Sequence, residues 1–164
     1  MTAYQPAQWH DLFVAMAGAA AALTGLIFVA VSINLERILT FRALPVRAVE
    51  TLSILVGLLL LSVFILVPGQ SLRVLGLEML ILGAVLAAVL LVKRLRLPRA
   101  PGEPLVWTLD PLAVILAGTL PMIAAGISVL VGGGGGLYWL VPELIGGFAG
   151  AVLNAYILLV EIHR

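Results

Sequence analysis

The sequence predicts an all-α integral membrane protein: a single transmembrane helical domain over residues 1–164, with five transmembrane helices, the N-terminus outside and the C-terminus in the cytoplasm. Three observations carry this reading. The chain is 63% hydrophobic and 10% charged with a mean hydropathy of +1.22, far from the composition of a soluble domain. Five apolar stretches, about 12–35, 50–69, 73–92, 111–131 and 138–160, each reach the ~20 residues of helix that cross a hydrocarbon core of about 30 Å. Five crossings also sort the basic residues. Arg37, Arg42, Arg47, Lys93, Arg94, Arg96, Arg99 and Arg164 fall on one side, and Arg73 alone on the other. Positive charge is retained on the cytoplasmic side, so that asymmetry sets the orientation, in a multi-pass protein of the inner (cytoplasmic) membrane of a bacterium.

Helices are expected because an unpaired backbone N–H or C=O in hydrocarbon costs several kcal/mol, and these runs lack the alternation of a barrel strand. No Lys or Arg precedes the first stretch, so it reads as a helix that stays in the membrane rather than a cleaved leader. That helix carries a heptad-spaced stripe of Asp11, Ala15, Gly18, Ala22, Gly25, Val29, Ser32 and Glu36. Small residues let helix backbones approach closely, and in lipid such faces drive association. Gly18, Ala22, Gly25 and Ser32 are therefore helix-packing residues, either inside the bundle or between protomers, or they surround a pore with Asp11 and Glu36 at its mouths.

The second stretch, Leu-, Val- and Ile-rich from Leu52 to Val67, is expected to face lipid. Val67-Pro68-Gly69-Gln70-Ser71 is a turn signal that separates it from the third. Asp110-Pro111 resembles an N-cap followed by proline at the first helical position and is expected to open the fourth helix, which Pro121 should kink. Gly132 to Gly136 reads as a mobile loop before the fifth helix. There Glu143, Gly147, Gly150, Asn154 and Glu161 share a face, and Gly146 and Gly150 form a GxxxG pair, a signature of close helix crossing. Trp9, Tyr138 and Trp139 mark the outer interface and Trp107 the inner one.

Several functions are excluded. Nine basic against eight acidic residues make no nucleic-acid surface. No cysteine is present, and the two histidines fall on opposite sides of the membrane, so neither a bis-histidine haem site nor an HExxH zinc site can be built. No GxSxG elbow occurs, and the glycine run lacks the Lys-Ser/Thr of a phosphate loop. The expectation is a non-enzyme without cofactor or resident metal.

The ionisable residues are the informative ones, because charge inside a bilayer is costly and is paired, hydrated or functional. Glu78 and Glu143 are each expected about one turn inside the outer ends of their helices, near Asp11 and His10. Asp11, Glu78 and Glu143, with His10 or Arg73 as partner, could form a cation or proton site; the alternative is that Glu78 and Glu143 lie at the headgroups or pair with Arg73. Asn154 joins the candidates because it shares a face with Glu143. Two functions follow: an oligomeric ion-conducting or cation-binding assembly, or a non-catalytic accessory subunit docked on a larger membrane complex. The partners are thus the lipid bilayer and either further copies of the chain or another membrane protein.

Residues 18–36, GAAAALTGLIFVAVSINLE, with the short charged loop after them, resemble small bacterial membrane proteins labelled modulators of the FtsH membrane protease. The resemblance covers the first two helices and implies an accessory role. Leu23-Thr24-Gly25 through Asn34-Leu35-Glu36 is also similar to the pore helix of Orai calcium channels, which is rich in small residues with an acidic residue at one mouth. Orai channels have four helices and cytoplasmic termini, so five helices with Glu36 on the inner side depart from that pattern.

Overall fold

The computed structural model describes residues 2–41, 44–96 and 106–162, with side chains omitted for 106–111 and 157–162. The described residues are almost wholly helical: α1 (His10–Ile33), α2 (Leu35–Thr40), α3 (Leu44–Leu66), α4 (Leu72–Leu95), α5 (Val106–Ala117), α6 (Leu120–Val131) and α7 (Leu140–Ile162), with 3₁₀ turns at Thr2–Tyr4, Pro6–Trp9 and Gly136–Trp139. Five helical segments are long and apolar enough to cross a membrane, which makes this a multi-pass membrane protein by length and composition. The start of α1, the α3–α4 turn and the α6–α7 loop share one end of the bundle. There Trp9 packs edge-on against Tyr138 at 5.0 Å, and the Tyr138 hydroxyl meets Thr2 Oγ1 at 2.8 Å.

The centre of the bundle is α3, whereas the small-residue stripes pointed to α1 and α7 as the bundle centre or the oligomer interface. It packs on α1, α4 and α7, and Ile54, Leu55, Leu58, Leu61 and Ile65 are buried along it. The expectation that this helix faces lipid is corrected. Leu, Val and Ile satisfy lipid and a protein core equally, so a uniformly apolar helix does not announce which it meets. By contrast, α1 buries only Phe13, Ala20 and Ile27, a seven-residue stripe lying on α3. The face bearing Gly18, Ala22, Gly25 and Ser32 is exposed, and nothing lies within 4 Å of a methyl group placed at Gly18 or Gly25. Gly25→Leu is therefore expected to leave the thermal stability of the single chain within about 0.5 kcal/mol of wild type. If that face meets a second helix, the same substitution changes the oligomeric state seen by light scattering in detergent.

The predicted fourth helix is two helices. It starts at Val106, so Asp110-Pro111 lies within α5 rather than opening it, and it breaks after Ala117. Gly118 and Thr119 interrupt the ladder, and Pro121, which cannot donate, falls in the first turn of α6. A proline expected to kink a helix instead begins a new one, the position at which its missing N–H costs least.

The glycine loop also departs from expectation. Gly132, Gly134, Gly135 and Gly136 all have positive φ, which a residue with a side chain adopts only under strain. Ser128 fastens the loop, its hydroxyl donating to Gly133 O and accepting from Gly136 N at 2.7 Å, while Trp139 Nε1 donates to Gly134 O at 2.7 Å. The chain thus turns back alongside α6 and returns to the level of Ser128 before α7 begins. Where glycine lies against a side chain rather than backbone, substitution should be mild. A methyl group at Gly57 would meet only Leu86, 2.5 Å from its Cδ1. Gly57→Ala is expected to cost about 1 kcal/mol or less in thermal unfolding, because the leucine end can swing aside.

Candidate functional site

The site is built where α7 crosses the α5–α6 break and the middle of α3. Gly146 lies against Ala117, where a methyl group would be 3.1 Å from the carbonyl oxygen. A methyl group at Gly147 would be 3.1 Å from Leu58 Cδ1, and one at Gly150 2.5 Å from Val114 Cγ1. Glycines on one face of α7 are what allow so close a crossing.

These contacts set the register. With α3 and α7 antiparallel and Leu58 opposite Gly147, one turn along each helix brings Ser62 to the level of Glu143. Two turns the other way bring Thr51 to the level of Asn154. Along α5 and α6, Gly118 lies beside Gly147, and Glu143 meets the backbone of Met122.

Glu143 is 0% exposed, and neither of its carboxylate oxygens has a hydrogen-bond partner among the described residues. It is four residues, about one turn, into α7, and further inside the end of α6. Met122 is nine residues before Val131, the end of α6, so Glu143 is about 14 Å below that end at 1.5 Å per residue. Along α3 the same level, at Ser62, is four residues, about 6 Å, inside the Leu66 end. The returning glycine loop causes the offset from the end of α6, because α7 begins only after the chain has descended beside α6. Leu137 and Leu140, between the glycine loop and Glu143 in the chain, are both fully buried.

The polar surroundings are sparse and specific. Met122 is the third residue of α6, where backbone N–H groups have no intrahelical acceptor, and this positive end of the half-helix faces the carboxylate. Thr119 does not cap α6 with its side chain; its hydroxyl donates back to Ile115 O at 2.8 Å. Ser62 likewise donates to Leu58 O at 2.8 Å. Both hydroxyls keep lone pairs free to accept.

The other residues singled out from the sequence do not gather around Glu143. Glu78, half-buried on α4, accepts a hydrogen bond from Gln70 Nε2 about one turn nearer the α1 N-terminal end. Asp11 is exposed and pairs with its neighbour His10, Nδ1 to Oδ1 at 3.2 Å. Glu36 is exposed in the first turn of α2. Among the described residues no cluster of three His, Asp or Glu could hold a metal ion. Asn154 is buried in the other half of the α3–α7 seam.

No family model, curated protein or solved structure matches this chain. Its chemistry is therefore argued from its own residues.

One of those residues escaped the sequence reading. Glu50, the first residue of the second apolar stretch, was given no role, yet it lies within α3, is 1% exposed, and has no hydrogen-bond partner for either oxygen among the described residues. The signal available was periodicity: Glu50 is one turn before Ile54 and two before Gly57, on the face that the whole helix buries.

A cavity of about 650 Å³ opens at the α1 N-terminal end, lined by Pro6, Ala7, His10, Leu75 and the α3–α4 turn from Ile65 to Gln70. Its Ile65 wall is one turn from Ser62.

Proposed function

We propose that this protein moves protons across the membrane and that Glu143 carries them. The observation behind this reading is a fully enclosed carboxyl group, unpartnered among the described residues, inside a bundle of five helices long and apolar enough to cross a membrane. An uncompensated charge in hydrocarbon costs several kcal/mol, so a carboxyl group there holds a proton or a cation unless something stabilises the anion. The N-terminal end of α6 is that stabilising element, supplying unused backbone N–H groups and a positive dipole end to an anionic oxygen. A group that can exist in both states can pick up and release its proton. The enclosed space favours a proton over a metal ion, which needs several oxygen ligands at once.

In this reading the chain is oriented by its charges, with the α1 N-terminus outside. The cavity beside His10 and Gln70 is the outer approach, and its Ile65 wall is one turn from Ser62, which stands at the level of Glu143. A purely structural role, in which Glu143 only caps α6, is the competing account. The amide of glutamine presents the same kind of oxygen to the Met122 backbone but cannot carry a proton, so Glu143→Gln separates the two.

The test uses proteoliposomes enclosing a pH-sensitive dye, with a potassium diffusion potential imposed by valinomycin. Potential-driven acidification by wild type that falls to the empty-liposome level in Glu143→Gln supports the proposal. Equal flux in both, or none with correctly folded wild type, overturns it.

The exposed small-residue face of α1 favours a second reading of the chain, as a subunit that docks through that face onto a copy of itself or a larger membrane protein. Recovery of a stoichiometric partner on gentle detergent extraction, lost in Gly25→Leu, would support it.

A further inference from the structure

The central helix α3, on which the Glu143 helix packs, carries a second enclosed carboxyl group toward its other end. From the geometry we infer that Glu50 is a second proton-binding station, exchanging with the cytoplasmic side as Glu143 exchanges with the outer one; this rests on the proton-translocating reading above.

Glu50 and Glu143 both have buried oxygens unpartnered among the described residues; Glu50 lies on α3, on the face where Gly57 meets Leu86 of α4, and Glu143 on α7, which packs on the same helix. Along α3, Glu50 is twelve residues from Ser62, which marks the level of Glu143. At 1.5 Å per residue that separates the two carboxyl groups by about 18 Å along the axis. Thr51 and Asn154, buried at a shared level, lie beside Glu50, and Asn154 can both donate and accept. Between the stations, Leu55 and Leu58 face the glycine surface of α7. That apolar layer blocks proton movement while the helices are closed, so each station equilibrates with its own side.

The charges near Glu50 differ from those near Glu143. Arg94 of α4 and Arg47 of α3 act on it electrostatically. At its level α7 offers the neutral Asn154, and the charged residues of α2, Glu36 and Arg37, are exposed. Two cations near the mouth stabilise the carboxylate once its proton has left, the step that delivers a proton to water. A permanently ionised Glu50, held only as a structural counter-charge for the arginines, is the account to exclude.

Infrared difference spectra of the whole protein in lipid, recorded through a pH titration in H₂O and D₂O, read protonated carboxyl groups directly. Two exchangeable bands are expected in wild type, one lost in Glu143→Gln and the other in Glu50→Gln. Proton flux in Glu50→Gln should fall about 100-fold, as on losing a positioned proton carrier, while the Glu143 band persists. Should Glu50→Gln not fold, Glu50→Asp keeps the acid and is expected to shift the Glu50 band and retain part of the flux. A wild-type spectrum with flux but only the Glu143 band overturns this inference alone, as does unchanged flux in Glu50→Gln, or an unshifted band in Glu50→Asp. Absence of wild-type flux with both bands present instead removes the transport reading and leaves two proton-binding groups.

Discussion

Glu143→Gln is expected to abolish proton flux while leaving the unfolding temperature of the bundle unchanged or raised. The two effects come from one substitution with little change in shape. Loss of flux follows because an amide has no exchangeable acid proton to pass on. Retained stability follows because Glu143 is fully enclosed and lacks a partner for either oxygen among the described residues, so the native protein bears the cost of burying an acid there. Replacing a poorly compensated buried charge by a neutral isostere is often neutral or stabilising, by about 1–4 kcal/mol in the most favourable cases. The amide still offers an oxygen to the Met122 backbone, so the first turn of α6 keeps its facing acceptor. Paired thermal unfolding and liposome flux on the same preparation measure both. A variant that loses flux only because it has lost its fold would show a fallen unfolding temperature as well.

Gly126→Val is expected to have the largest effect on the fold. A Cβ at Gly126 would lie 2.8 Å from Leu80 N and 2.9 Å from Gly76 O, both backbone atoms of α4. Gly76 in turn sits with the Gly126 carbonyl oxygen 3.2 Å from its own missing Cβ. The two backbones touch where neither residue has a side chain, a crossing that no rotamer change can relieve. Overpacking of a close-packed interface costs about 1–3 kcal/mol, and backbone against backbone belongs at or above the top of that range. Unfolding in mixed detergent micelles should show a loss of about 3 kcal/mol or more, against the mild effect expected for Gly57→Ala. Near-equal effects of the two substitutions would mean that α4 and α6 do not meet through Gly76 and Gly126.

The α4–α6 crossing also shows what the sequence reading overlooked. The glycines of the first and last helices were read as packing residues, yet Gly76 and Gly83, seven residues apart on α4, and Gly126 on α6 form the close α4–α6 crossing. Their spacing was as legible as that of Gly18 and Gly25. Small residues permit close packing without dictating it, so one stripe ends up inside the bundle and another outside.

Five apolar segments, the turn at Pro68-Gly69 and the one-sided basic residues are properties of the sequence by itself. Each follows from length, hydropathy and local turn chemistry, which neighbouring residues determine. Only the tertiary structure decided that α3 is central, that the fourth span breaks at Gly118 and Thr119, and how deep the ionisable residues lie. In a membrane helix both the lipid face and the buried face are apolar, so the periodicity that orients a helix in a soluble protein is largely erased. Depth is likewise not a count from the helix end. Glu143 is four residues into α7, yet the glycine loop descends beside α6 before that helix begins, and this return of the chain carries the carboxyl group to the level of Met122, nine residues inside the end of α6.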